Sequence, residues 1–183
     1  MKNILLSIFL LVNSVVFSQN LMEKNTSFLS GFSNWKYGVT GPVDNTPVAD
    51  FSIVEEGHEG GNACEIKIKI PGDATRLNDV YLQYKGVPIK KGKKYRVAFF
   101  IKTTEYTDDI LVTLGSGSSP EIEVLEERLM KFKGDNQWHK ISFTFIAKKT
   151  RKNVDFKNLS LFLGFNHRFG KFTVDNFSIE NIK

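Results

Sequence analysis

Apolar and polar residues alternate with a period of two along most of this chain. Cys64, Ile66, Ile68 and Ile70 fall on one face of a run whose other face carries Glu65, Lys67 and Lys69. Tyr95, Val97, Phe99 and Ile101 alternate with Arg96, Ala98, Phe100 and Lys102. Ile141, Phe143 and Phe145 alternate with Ser142 and Thr144, and Leu159, Leu161, Leu163 and Phe165 with Ser160, Phe162 and Gly164. Residues 110–114 form another apolar run, interrupted only by Thr113. This pattern predicts strands with one face buried, because successive side chains on a strand point to opposite sides. In the closing segment, Phe172 and Val174 share one parity while Phe177 and Ile179 share the other, which predicts a bulge near Asp175. Residues 120–131 place Ile122, Leu125 and Leu129 at helical spacing but read equally well as a strand. Gly-, Pro- and Asn-containing turns separate these runs at 56–61, 71–73, 90–94, 115–120 and 133–136. Many short strands with regular turns imply an all-β fold, an antiparallel β-sandwich and most simply a jelly roll.

The first residues depart from this pattern. Lys2 precedes an apolar stretch from Ile4 to Val16, and Ser18 offers a small residue for cleavage. This predicts a signal peptide over residues 1–18 and a secreted or extracytoplasmic protein. The stretch is shorter than the roughly 20 apolar residues a membrane span needs, and no other segment qualifies. Removing 18 of 183 residues leaves 165, a single domain over 19–183, and the loss of Lys2 lowers the net charge from +5 to +4. Cys64 is the one cysteine, so no internal disulfide forms and the core must stand on burial alone. Its position on the apolar face of its run makes it an inert, buried thiol.

Several short motifs, taken in order, resemble a known family. Residues 25–35, with Phe28, Gly31 and Trp35, are similar to an opening Asn-Gly-x-Phe-Glu-x-Gly…Trp pattern. Ile89, Gly92, Tyr95 and Phe99 resemble a Leu-x-x-Gly-x-x-Tyr-x-x-x-Phe hairpin, and Val174 to Ile179 resembles the closing strand. Together they resemble the carbohydrate-binding jelly-roll modules of the CenC-like, galactose-binding-like superfamily, the cellulose- and xylan-binding families 4, 9, 16 and 22. The resemblance implies a non-catalytic domain that binds a polysaccharide or oligosaccharide, standing alone and monomeric. It also implies a structural calcium held in part by Asp175. Leu29 occupies the position of a second acidic ligand, and losing a carboxylate weakens a site for a cation that takes six to eight oxygens.

Sugar recognition uses flat aromatic faces for the C–H side of the ring and amides, carboxylates or guanidinium groups for the hydroxyls. The parity of the strands turns Tyr81, Gln83, Arg96, Phe100, Phe162 and Asn166 away from the core, with His167 and Arg168 following. These form the candidate ligand-binding surface. For each aromatic, cross-strand packing under a loop is the competing role. Trp35 and Trp138 match framework positions and read as core.

Two other functional classes compete. Glu121, Glu123 and Glu126 resemble the Glu-x-Asp-x-x-Glu strand of a laminarinase-type jelly-roll glycoside hydrolase, with Glu121 as nucleophile and Glu126 as acid/base. Against it stand Glu123 in place of the Asp, the short chain and the lack of a flanking tryptophan. A non-carbohydrate surface or adhesion module is the other alternative. His58, His139 and His167 lack zinc spacing, and Ser116 lacks a full nucleophile elbow. The basic turns at 90–94 and 148–152 offer charge that would attract an acidic polysaccharide or a membrane surface, but read chiefly as solvated hairpin ends that protect strand edges. The glutamates at 121–127 offset them, so nothing points to nucleic acid.

Overall fold

The alternating runs pair into two antiparallel sheets. A computed structural model describes residues 19–22, 24–40, 46–71, 80–104, 108–118, 121–148, 153–165 and 170–182. The expected signal peptide, residues 1–18, lies outside the described residues. Ten strands follow in order: β1 (Trp35–Val39), β2 (Val48–Val54), β3 (Ala63–Ile70), β4 (Val80–Lys85), β5 (Lys94–Thr103), β6 (Asp108–Ser118), β7 (Glu121–Phe132), β8 (His139–Ile146), β9 (Leu159–Gly164) and β10 (Gly170–Ile182). One sheet has the order β1-β4-β9-β6-β7 and the other β2-β3-β10-β5-β8. This is the expected sandwich. No helix among the described residues is long and apolar enough to cross a membrane.

The core is the set of inward parities. Leu82, Leu161 and Val112 from the first sheet are fully buried, as are Ile66, Val174 and Phe99 from the second. Cys64 lies among them, free and buried, and burial pushes its thiol well above the usual range. At one end Trp35 stacks on Phe28 with centroids 4.9 Å apart and meets Phe177 at 4.7 Å. Trp35 Nε1 donates to the Asn25 carbonyl at 2.9 Å, so the indole satisfies its polar atom while buried.

Two bulges shape the sheets. The β10–β5 register shifts between Asp175 and Ser178, with Asn176 at φ 51°, which is the bulge the parity change predicts. The β6–β7 register shifts between Leu114 and Gly115, leaving Leu125 as the extra residue on β7. Residues 121–132 are thus a strand, and Ile122, Leu125 and Leu129 share no single face: Leu125 is buried in the core, while Leu129 is 50% exposed and Ile122 lines the outer face.

Candidate functional site

The face of the first sheet turned away from the core is built by residue parity on β4, β9 and β6. Opposite Gln83 on β4 sits Phe162 on β9, and opposite Phe162 sits Thr113 on β6. The adjacent row carries Tyr81, Gly164 and Leu111. Tyr81 lies over the edge strand, because a Cβ on Gly38 would come within 3.2 Å of its hydroxyl. Phe162 is 0% exposed and Tyr81 6%, so these rings form a closed floor rather than open stacking platforms. Gln83 is 1% exposed. Its Nε2 donates to Ser160 Oγ at 3.0 Å, while its Oε1 has no hydrogen-bond partner.

A groove of about 780 Å³ opens beside Gln83. Ser160 and Lys85 line it from the sheet, Ser116 and Glu121 from the β6–β7 hairpin, and Asp155 and Asn158 from the turn before β9. That turn is fastened to the hairpin by the Asp155 N–H, which donates to Ser116 Oγ at 2.9 Å. The N–H of Lys157 and the side chain of Asn158 donate to the Asp155 carboxylate and hold its pKa below the usual range. Of the expected surface, Tyr81, Gln83 and Phe162 therefore share one face, and Gln83 reaches the groove. Lys85 and Ser160 were legible as outward parities of their strands, but small or charged residues give no signal without the groove. Asp155 and Asn158 lie in a turn where alternation says nothing.

Arg96 and Phe100 belong elsewhere. Both point outward from β5, which is in the second sheet, so the eight expected residues do not form one surface. Arg96 faces Glu180 at 3.8 Å. Phe100 stacks on the His58 imidazole, with centroids 3.5 Å apart, and Lys140 lies over the Phe100 ring. Trp138, expected in the core, instead sits half-buried against the edge of His58, with Lys102 over its ring at 5.3 Å. It immediately precedes β8, where the chain has not yet entered the inward register. Asn166, His167 and Arg168 lie outside the described residues.

The acid pair separates as well. Glu121 lines the groove, whereas Glu126 pairs with Arg128 at 2.7 Å in a different cleft. The bulge at Leu125 lies between them. They do not form the facing carboxylates that a retaining hydrolase requires.

Asp175 is 1% exposed on the second sheet. The His58 N–H donates to its Oδ2 at 2.9 Å and the Asn176 N–H to its Oδ1 at 2.7 Å. Burial pushes its carboxyl above the usual range, and the two amides pull it back. The side chain of Leu29, 74% exposed, offers no oxygen, and among the described residues no three His, Cys, Asp or Glu side chains come together. Among these side chains Asp175 thus supplies a single carboxylate, already accepting from two N–H donors, which is fewer charged oxygens than a calcium site usually draws on.

The comparisons with known proteins agree with this architecture. The model of the family described as carbohydrate binding domain (CBM_4_9) matches residues 21–158. No curated protein matches the sequence. A CBM4 structure superposes with a TM-score of 0.67 at 14% identity, covering 87% of this chain and 99% of that one. The CBM22-2 xylan-binding domain of Paenibacillus barcinonensis Xyn10C gives 0.59 at 15% identity, covering 86% and 98%. TmCBM61 in complex with beta-1,4-galactotriose gives 0.56 at 18% identity, covering 90% and 100%. At these identities the structures establish a shared fold, and the family match spans most of the chain. The chain belongs to the CBM_4_9 family of carbohydrate-binding domains.

Proposed function

We propose that this chain is an exported, non-catalytic module that binds a neutral polysaccharide or oligosaccharide in the groove on the outer face of the β1-β4-β9-β6-β7 sheet. The observation that carries the reading is Gln83. It is a buried amide beside a groove of about 780 Å³, with one hydrogen bond to Ser160 and an acceptor oxygen left without a partner. Buried acceptors are nearly always satisfied, and a sugar hydroxyl is a donor of the right size. Asn158, Ser116 and Ser160 add donors and acceptors around it. Among the described residues, Glu121, Glu123 and Asp155 bring three carboxylates to the lining against the single ammonium of Lys85, which disfavours an acidic sugar. The residues 1–18 leader supports export, and the separation of Glu121 from Glu126 supports a role without catalysis.

Xylan and β-1,4-galactan oligomers are the first probes, since solved structures of this fold are described with those sugars. Isothermal titration should show binding that Gln83→Ala weakens about tenfold or more, the cost of deleting a hydrogen-bonding group in a buried site. Unchanged affinity in a folded Gln83→Ala protein would move the site away from this groove.

A further inference from the structure

The basic turn at 90–94 lies in space beside residues 146–148, which lead into the second basic stretch of the sequence. The Gly92 N–H donates to the Ala147 carbonyl at 2.7 Å, and the Ala147 N–H donates to the Lys93 carbonyl at 2.9 Å. Lys94 pairs in register with Ile146. Beside this junction, at the open edge where β7 approaches β8, lies a second cleft of about 390 Å³. Lys94, Arg128 and Lys148 line it, with Glu126 as the one acid in the lining. Glu126 is already held by Arg128 Nη2 at 2.7 Å, and among the described residues Lys94 and Lys148 have no ion pair. Lys90, Lys91 and Lys93 stand exposed next to it.

We propose that this cleft is a separate site for an acidic glycan, one whose sugar units carry carboxylates or sulfate esters. Guarding a strand edge needs a lysine or two, whereas here the cations converge on a concave surface. Arg128 uses one terminal nitrogen on Glu126 and keeps the rest of its planar fork for an anion. Ile146, 48% exposed, and Phe145 give the cleft an apolar wall suited to the C–H side of a sugar ring. The charge is opposite in sign to that of the Gln83 groove, so the two sites select different polymers. The proposal does not depend on the groove's being occupied.

The test is binding of the mature protein to polygalacturonate and to dextran sulfate, with unsubstituted dextran as the neutral control. Binding to one or both acidic polymers, weakening as salt rises, is expected, and the arm that binds identifies carboxylate or sulfate. The double variant Lys94→Ala/Lys148→Ala should lose about tenfold in affinity, as should Lys94→Gln/Lys148→Gln. The charge-matched control Lys24→Ala/Lys67→Ala, on exposed lysines outside this cleft, should lose less than about twofold. Gln83→Ala should leave acidic-polymer binding unchanged. Equal losses in the cleft and control variants would reduce the effect to net charge and overturn the site, as would failure to bind either acidic polymer.

Discussion

Two glycines five positions or fewer from the Asp175 contact show how differently single residues constrain this molecule. Gly57 has room for hydrogen alone. A Cβ there would meet the Gly60 carbonyl at 2.7 Å, the Asn62 carbonyl at 3.0 Å and Asp175 Oδ2 at 3.0 Å, none of which can swing aside. Gly60 has open space around it but a φ of +87°, which L side chains rarely adopt. Gly57→Ala should therefore cost about 1–3 kcal/mol in urea unfolding through crowding. Gly60→Ala should cost about 1 kcal/mol through backbone strain. A smaller loss at Gly57 than at Gly60 would show that the loop relaxes around the new methyl. Neither requirement was legible beforehand, because a glycine in a turn looks the same whether it serves space or φ. The bulge beside Asp175 was legible, since a change of parity records an extra residue directly.

At the scale of elements, the segment from 55 to 62 is fastened across the second sheet by contacts of different kinds. The Asp175 carboxylate holds its backbone, Phe100 stacks on His58, and Lys102 Nζ lies 3.1 Å from Glu56 Oε2. The hydrogen bond and charge of Lys102 lower the Glu56 pKa, so the folded carboxylate binds its proton less readily than the unfolded one. Its contribution to stability is therefore present above the unfolded value and is lost as pH falls through the folded value. The difference in thermal midpoint between wild type and Glu56→Gln should be visible at neutral pH and shrink away as pH falls below the ordinary carboxylate range. A difference that persists there would assign the effect to packing. The strands themselves were largely readable: β5 and β8 follow the alternation closely, β10 does so on either side of its bulge, β3 does so up to Ile68 while Ile70 is exposed, and β9 is buried on both faces. The edge strands β1 and β2 gave a weaker signal, since Tyr37, Val39 and Val48 stand on partly exposed edges and hydrophobic patterning is blurred there.

For the whole molecule, the sequence sorts residues into inside and outside but not between sheets. Parity turned Arg96, Phe100, Tyr81 and Phe162 outward correctly, yet pairing is decided by contacts distant along the chain, and β5 joined the opposite sheet from β4 and β9. The same long-range pairing brought the basic turn at 90–94 beside residues 146–148. The core, built from more than thirty buried apolar residues, has no disulfide to support it. With a single side-chain carboxylate at Asp175, already accepting two N–H groups, millimolar calcium or a chelator is expected to shift the unfolding midpoint by less than about 1 °C, whereas a resident metal would raise it by mass action. The strand order has a further consequence for how the protein is made. β9 lies between β4 and β6, and β10 lies between β3 and β5, so the two last strands of the chain occupy the interiors of both sheets. As the polypeptide emerges, its earlier strands have edges without partners, and neither sheet closes until residues 159–182 arrive. Folding of this kind is slow and waits on the far end of the chain.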